Sequence, residues 1–238
     1  MKSKMRMTQV LEVIDLSPHM RRIVLKGNDL IDFPQGMESA HVKVILPQPG
    51  QEKPKLGKYP GFEKWMRSYT IRCFDPIEKT LKIDFAVNDH SGLATNWATN
   101  ASVGDYLGIA GPGDIKYTQY DADWHLIIGD LTALPAIVTT IEKLPADACG
   151  YVLAQIPTEQ DMQIVKTPKN LEIKWVVNAD LTKNMLLETV QKLKWLKGEP
   201  AVFIASETQK MKSIRKYVAL QPGFERELMY ASAYWKSK

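Results

Sequence analysis

The hydrophobic pattern changes its period partway along the chain, and this change constrains the fold more than any other feature. Up to about residue 117, runs such as TQVLEVIDL, MRRIVLKG and TLKIDFAV alternate apolar and polar residues between turn signals. Such spacing predicts an antiparallel barrel or sandwich. From residue 123 onward, apolar strands such as WHLIIG and GYVLAQI alternate with helical segments such as ALPAIVTTIEKL and MLLETVQKLKWL. This second pattern predicts a parallel sheet with helices on its faces.

A polar stretch, KYTQYDAD at residues 116–123, separates the two patterns. We place the domain boundary within it, so that residues 1–118 form the first domain and residues 119–238 the second. With 238 residues and 45% apolar content, the chain has enough material for a core in each part.

Charge and cysteine content narrow the function. The 31 basic and 27 acidic residues give a formal charge of +4 that is dispersed along the chain, which favours a small anionic ligand over nucleic acid. Cys73 and Cys149 show no metal-binding spacing, so any redox chemistry is expected to need an organic cofactor. No run approaches the ~20 apolar residues of a membrane span, and the basic start of the chain lacks an apolar segment with a cleavage site. We therefore expect a cytoplasmic protein.

A phosphate site is predicted in the first half. The stretch NDHSGLATNWATN follows the strand KIDFAV and predicts a short helix from Gly92 to Thr99, with Ser91 as its N-cap. Gly92 allows a ligand to approach closely, and the free N–H groups of a helix start attract phosphate. Arg67, on the strand RSYTIRCFD, could clamp the same phosphate. The alternative is an ordinary capped helix in a barrel loop.

The second half contains a similar unit. The stretch WHLIIGDLTALPAIVTTIEKL predicts a buried strand, a tight turn and a helix with Pro135 in its first turn. Ligands of such sheets bind at the carboxyl ends of the strands. The loop GDLTALP lacks the GxGxxG fingerprint, so a phosphate there would depend on backbone amides and the Thr132 hydroxyl.

Taken together, these motifs resemble those of a known family. RSYT, then HSGLATNWA after DFAV, then GDYLGIAGPG, GDLTALPAI and a late YW follow the order seen in siderophore-interacting proteins. That family consists of FAD-dependent ferric-siderophore reductases within the ferredoxin–NADP reductase superfamily. The resemblance covers nearly the whole chain, although ASE at residues 205–207 replaces the family's common AGE. It implies an antiparallel six-stranded β-barrel that binds FAD, followed by a parallel-sheet α/β domain that binds NADH or NADPH.

The resemblance also implies roles for individual residues. Arg67 would pair with the FAD diphosphate, Tyr69 would lie against the isoalloxazine or ribityl group, and Thr70 would hydrogen-bond the polar edge of the ring. Trp97 and Trp235 could equally be core residues. The cofactor-binding residues implied in this way are Arg67, Ser68, Tyr69, Thr70, Asp84, Phe85, Ala86, Val87, His90, Gly92, Leu93, Ala94, Thr95, Trp97, Asp130, Thr132, Ala133, Glu207 and Trp235.

The implied reaction needs no catalytic side chain and no metal ligand from the protein. A nicotinamide delivers two electrons and Fe(III) accepts one, and a flavin connects the two. The substrate would be an anionic ferric siderophore, so lysines are expected near it. We name Lys43, Lys116 and Lys236 as candidates and call them the rim lysines. Alternation in HVKVILP places Lys43 on the face opposite the buried side chains. That face could line the flavin pocket, or it could be a solvated face of the barrel.

Two other functions remain open on the sequence alone. One is a flavin or ferredoxin reductase that passes electrons to a protein partner. The other is a flavin-free protein that binds ferric siderophore without redox chemistry. In each case we expect a monomer that binds neither nucleic acid nor membranes.

Overall fold

The computed structural model describes residues 4–87, 92–180 and 183–237. The chain divides into two compact units, Met1–Ile115 and Lys116–Lys238. The predicted domain limits of 1–118 and 119–238 stay a prediction. His90 and Ser91, singled out above, lie outside the described residues.

The first unit is built on an antiparallel sheet. Its strands follow the order β4-β3-β7-β1-β2-β6-β5, and one short helix lies between β6 and β7 along the chain. The bounds are β1 Met5–Ser17, β2 Met20–Lys26, β3 His41–Ile45, β4 Met66–Thr70, β5 Cys73–Asp75, β6 Thr80–Ala86, α1 Leu93–Asn100 and β7 Tyr106–Ala110.

The sheet closes on itself through the strand RSYTIRCFD. Its first part, β4, pairs with β3, and its second part, β5, pairs with β6 through Cys73 and Lys82. Between the two parts, the Arg72 N–H donates to the Lys82 carbonyl at 3.0 Å. One stretch of chain therefore supplies both edges of the sheet. This confirms the predicted antiparallel, barrel-like domain, but with seven strands rather than six, because the chain changes partner after Thr70.

Alternating residues of these strands fill the core of the first unit. In β3, Val42 and Val44 are buried whereas Lys43 is exposed, as the sequence pattern predicts. Leu107 and Ile109 of β7 are completely buried next to them in the same cluster. The period of two thus decides which side chains remain on the outside, where a ligand could meet them.

The second unit is a parallel five-stranded sheet with helices on both faces. Its strands follow the order β10-β9-β8-β11-β12, and every pair is parallel. The bounds are β8 Trp124–Asp130, α2 Leu134–Ile141, β9 Cys149–Ile156, β10 Asn170–Val177, α3 Met185–Gln191, β11 Pro200–Glu207, α4 Thr208–Val218 and β12 Met229–Trp235. The predicted α/β domain is confirmed.

The two faces of this sheet have separate cores. Helix α2 packs on the face that carries Ile127 and Phe203, and helices α3 and α4 pack on the face that carries Leu126 and Val202. Because β8 lies between β9 and β11, the carboxyl ends of β8 and β11 flank the point where strand order reverses. Ligands of open parallel sheets bind at this point.

Helix α3 is shorter than the sequence predicts. The segment MLLETVQKLKWL has helical periodicity throughout, but the helix ends at Gln191. The reason lies in tertiary contacts. The Trp195 ring packs edge-on against the Trp124 ring, with 4.8 Å between the ring centroids, and the Trp195 indole N–H donates to the Pro222 carbonyl at 2.8 Å. A continued helix would turn Trp195 away from these partners.

Candidate functional site

Strand β4 presents the first group of predicted cofactor residues. Arg67 and Ser68 are exposed on it. The Arg67 guanidinium donates from Nη1 to the backbone carbonyls of Lys64 (3.0 Å) and Met66 (2.8 Å). Its Nε and Nη2 groups make no hydrogen bond to any described residue. One side of the guanidinium is therefore available to an anion such as a diphosphate.

Aromatic rings lie behind this strand. The Tyr69 and Phe85 ring centroids are 4.2 Å apart, and those of Phe85 and Trp97 are 5.8 Å apart. Burial raises the pKa of Tyr69, against the opposing effect of the Arg67 charge, so the hydroxyl stays protonated at neutral pH. Tyr69 and Trp97 both pack against the core of the first unit, and Thr70 is buried. Trp97 therefore has a packing role whether or not it also contacts a cofactor.

Helix α1 begins one residue later than predicted: the prediction of Ser91 as N-cap is wrong, because Gly92 takes that position with extended backbone and Leu93 is the first helical residue. The Asn96 N–H donates to the Gly92 carbonyl at 2.8 Å, so the N–H groups of Leu93, Ala94 and Thr95 have no partner within the helix. No side chain of the N-cap can satisfy them, since glycine has none. The helix start is thus suited to an anion from outside.

The end of β6 carries an acidic residue with an internal partner. Asp84 accepts hydrogen bonds from Arg22 Nε at 2.6 Å and Nη2 at 2.8 Å. The two residues are cross-strand partners on β2 and β6, and the Asp84 side chain is only 2% exposed. Its carboxylate therefore belongs to a nearly buried, bidentate ion pair within the barrel. Ala86 and Val87, which follow it, are half-buried.

The rim lysines are all exposed, but they belong to different units. Lys43 lies opposite Ser68 in the β3–β4 pairing, and its ammonium donates to the Ser68 hydroxyl at 2.5 Å. Lys43 is thus directly beside the strand that carries Arg67. Lys116 and Lys236 belong to the second unit. The grouping of the three around one substrate stays a prediction.

In the second unit, Asp130 is the centre of a hydrogen-bond cluster at the carboxyl end of β8. Its Oδ1 accepts from the Thr132 N–H (3.0 Å) and hydroxyl (2.5 Å). Its Oδ2 accepts from the Glu207 N–H (3.0 Å) and from the Trp235 indole (2.8 Å). Burial raises the pKa of Asp130, and these hydrogen bonds oppose the rise. Ala133, in the same turn, is completely buried.

Glu207 forms a second cluster at the end of β11. Its Oε2 caps helix α4 by accepting from the N–H groups of Gln209 (2.6 Å) and Lys210 (3.1 Å). Its Oε1 accepts from the Ser237 N–H (3.2 Å) and hydroxyl (3.1 Å). Burial would raise the pKa of Glu207, but hydrogen bonds from Lys210, Ser237 and Gln209 outweigh it, so the pKa is lowered. This carboxylate therefore remains ionised.

Lys210 is a residue of this region that reasoning from the sequence missed. It is only 8% exposed, and its ammonium makes no hydrogen bond or ion pair with the described residues. Burial lowers its pKa, and the charges of Asp130, Glu207 and Asp180 oppose that effect. The signal was present in the sequence, because Lys210 shares the apolar stripe of α4 with Ile214 and Val218 at four-residue spacing.

The described residues contain neither a membrane-spanning helix nor a metal-binding cluster. None of the helices described here combines the length and the apolar character needed to cross a membrane. Within residues 4–87, 92–180 and 183–237, His, Cys, Asp and Glu side chains form no group of three or more that could hold a metal ion.

Comparison with known families and proteins agrees with this architecture. Residues 9–115 match the siderophore-interacting FAD-binding domain, and residues 122–238 match the siderophore-interacting protein model. The chain is 32% identical over 232 residues to the ferric vibriobactin reductase ViuB of Vibrio cholerae, covering 93% of this chain and 85% of that protein.

Two further proteins extend the comparison. The NADPH-dependent ferric-chelate reductase of Escherichia coli is 26% identical over 250 residues, covering 99% of this chain and 94% of that one. The crystal structure of the siderophore-interacting protein SipS from Aeromonas hydrophila superposes with a TM-score of 0.88 at 33% identity, covering 98% of this chain and 92% of that one.

The fold and the two family matches define a protein with an FAD-binding barrel followed by an α/β domain. The chain belongs to the siderophore-interacting protein family. The resemblance noted in the sequence is thereby confirmed, and FAD is its cofactor.

Proposed function

We propose that this protein is an NAD(P)H-dependent ferric-siderophore reductase, which uses FAD to reduce Fe(III) to Fe(II) and so releases iron from the siderophore. The observation that supports it most is the similarity to ferric vibriobactin reductase over 93% of the chain, which includes both units. Bound FAD would supply the conversion between two-electron and one-electron transfer. Siderophore oxygens hold Fe(III), a hard ion, more tightly than Fe(II), so reduction favours release.

The residues of the first unit fit the diphosphate of FAD. The free side of the Arg67 guanidinium offers a bidentate, charge-assisted contact, and the start of α1 offers three backbone N–H groups. Both features attract an anion, and neither has a described protein group that satisfies it. Tyr69 would provide a flat apolar surface for the flavin beside this anion site.

The residues of the second unit fit a nicotinamide dinucleotide. The carboxyl ends of β8 and β11 meet at the reversal of strand order, and the turn after β8, which contains Thr132 and Ala133, leads into helix α2. We propose that NADH or NADPH binds at this point. We also propose that the reaction takes place in the cytoplasm, where both nicotinamide donors are present. We also propose that the protein acts as a monomer.

The substrate is proposed to be an anionic ferric siderophore, held by the rim lysines. Lys43 is the best supported of the three, because it is exposed beside Ser68 and Arg67 on the neighbouring strand. Positive charge at this position would attract a negative chelate and would not need to contact the iron.

The test is a reconstituted reaction. Purified protein is loaded with FAD, reduced anaerobically with NADH or NADPH, and then mixed with ferric siderophore in the presence of an Fe(II)-specific dye. We expect flavin bleaching by the nicotinamide, and the return of flavin colour together with dye colour on addition of the chelate. A protein that takes up no FAD, or whose reduced flavin is not reoxidised by any ferric siderophore, would contradict the proposal.

A further inference from the structure

Trp235 is held unusually firmly for the last residue of an edge strand. Its indole N–H donates to Asp130 Oδ2 at 2.8 Å, and its carbonyl accepts from the Thr208 hydroxyl at 2.9 Å. Ser237, two residues later, donates twice to Glu207. An edge strand needs no such anchors to stay paired with its neighbour, because the ladder between β11 and β12 already fixes it.

The two oxygens of Asp130 divide their partners in an informative way. Oδ1 serves the turn in which Asp130 stands, through both donors of Thr132. A Ser or Asn cap could do the same. Oδ2 serves two other segments, through the Glu207 N–H and the Trp235 indole. Only a carboxylate has two oxygens that both accept hydrogen bonds, so the contacts of Oδ2 explain why residue 130 is an aspartate.

This arrangement is costly for the fold. All four donors that the described residues direct at Asp130 are neutral, and the nearby Lys210 ammonium forms no ion pair with it. A carboxylate that is removed from water without a directly paired cation destabilises the folded state. Such groups concentrate at functional sites, where their position rather than their contribution to stability is useful.

The location of the cluster indicates its use. Trp235 pairs with Glu207 at the carboxyl end of β11, and Asp130 ends the adjacent β8, so the indole stands beside the reversal of strand order. This is the point at which a dinucleotide is expected to bind. An indole offers a flat apolar face to an aromatic ring, but only if its plane is fixed.

We propose that Asp130 is a positioning residue of the nicotinamide site, which fixes the Trp235 indole at the carboxyl edge of β8 and β11 so that the ring forms one wall of the pocket. This inference rests on the proposed use of a nicotinamide donor. Asp130 acts through Trp235 and does not itself touch the nucleotide.

The test compares Asp130→Asn, Trp235→Phe and the double variant in the FAD-loaded protein. Trp195→Phe is the matched control, because it removes an indole hydrogen bond of the same length, 2.8 Å, elsewhere in the unit. Binding of NAD⁺ and NADP⁺, which cannot reduce the flavin, is measured by calorimetry. We expect each single variant to weaken binding of the preferred nucleotide by about tenfold, and the double variant to be no worse than either. Trp195→Phe should bind normally.

A spectroscopic measurement accompanies the binding assay. In the wild-type protein, the Trp235 indole N–H signal, assigned by its loss in Trp235→Phe, should be shifted downfield and protected from exchange. It should lose both properties in Asp130→Asn. If Asp130→Asn does not fold, Trp235→Phe against Trp195→Phe still decides the question.

Several results would overturn the inference. Unchanged nucleotide binding in Trp235→Phe would show that the anchored indole is not needed for the pocket, and full additivity in the double variant would show that the two residues act separately. A rapidly exchanging wild-type Trp235 indole would show that it is not fixed. Wild-type protein that binds neither nucleotide would instead remove the proposed function, and this inference with it.

Discussion

The role of Arg67 can be tested through the part of FAD that it is expected to bind. In Arg67→Ala, the two hydrogen bonds removed within the protein go to exposed segments of the chain, so folding should change little. The interaction with the diphosphate is charge-assisted, and its removal should cost about 1.5 to 3 kcal/mol of binding free energy. That range corresponds to an increase of about 10- to 150-fold in the dissociation constant of FAD. Because Arg67 is exposed and its charge is screened by water, we expect a value in the lower part of this range.

The assay is a titration of flavin-free protein with FAD and, separately, with riboflavin, which has no diphosphate. Arg67→Ala should weaken FAD binding and leave riboflavin binding unchanged, because only FAD carries the group that Arg67 is expected to bind. Arg67→Lys should fall between wild type and alanine, since it keeps the charge but loses the bidentate geometry. Equal losses of affinity for FAD and riboflavin, or no loss for either, would refute the assignment of Arg67 to the diphosphate.

Three other predictions concern different parts of the molecule. Replacing the rim lysines together by glutamine should raise the KM for ferric siderophore and flatten its salt dependence, while flavin reduction by the nicotinamide stays normal; an unchanged KM would place the basic rim elsewhere. Arg22→Met should lower the free energy of unfolding by about 3 kcal/mol, because it leaves the Asp84 carboxylate buried and unpaired, and Arg22→Met with Asp84→Leu should recover part of the loss in urea melts. No recovery at all would mean that the ion pair is not the cause. Burial lowers the pKa of His125 below its usual value of about 6.5, against a hydrogen bond to the Tyr120 backbone, so the folded state resists protonation. Stability should therefore fall as pH drops below about 6.5, and less steeply in His125→Gln; equal slopes would exclude His125 as the source.

The sequence was sufficient for the features that depend on local pattern. The alternation of apolar and polar residues identified the barrel strands and predicted that Lys43 is exposed. The alternation of strands with helices identified the parallel sheet. The start of α1 was predicted to within one residue, because a serine of N-cap type before a helical pattern is a local signal, although Gly92 is the N-cap in the structure. Features that depend on which strands pair with each other could not be predicted from the sequence. The split of RSYTIRCFD into β4 and β5 arises because the strand changes partner, and nothing in its own residues marks that change.

For the predicted site residues too, positions set by local pattern were predictable, whereas contacts with residues distant in sequence were not. Arg67 lies on β4 and Gly92 at the start of α1, each with donors available to an anion. The partners of the acidic residues could not be inferred from spacing, since Arg22 lies 62 positions from Asp84 and Trp235 lies 105 positions from Asp130. Lys210 was overlooked because a lysine on a helix is usually exposed, although its place on the apolar stripe of α4 argued otherwise.

We expect Asp84 and Asp130, two carboxylates of the predicted cofactor motifs, to differ in role, with Asp84 serving the structure of the first unit and Asp130 serving ligand binding in the second. Asp84 forms a bidentate ion pair with the Arg22 guanidinium, which neutralises its negative charge locally. The Asp84 charge should therefore have little effect on a ligand. Asp130 accepts hydrogen bonds only from neutral donors among the described residues, so no directly paired cation balances its carboxylate at the carboxyl end of β8. A nicotinamide becomes positively charged when it gives up its hydride, and an ionised Asp130 close to the proposed nucleotide site would favour that change. Loss of the first carboxylate should therefore appear mainly in stability, and loss of the second mainly in nicotinamide binding and the rate of flavin reduction.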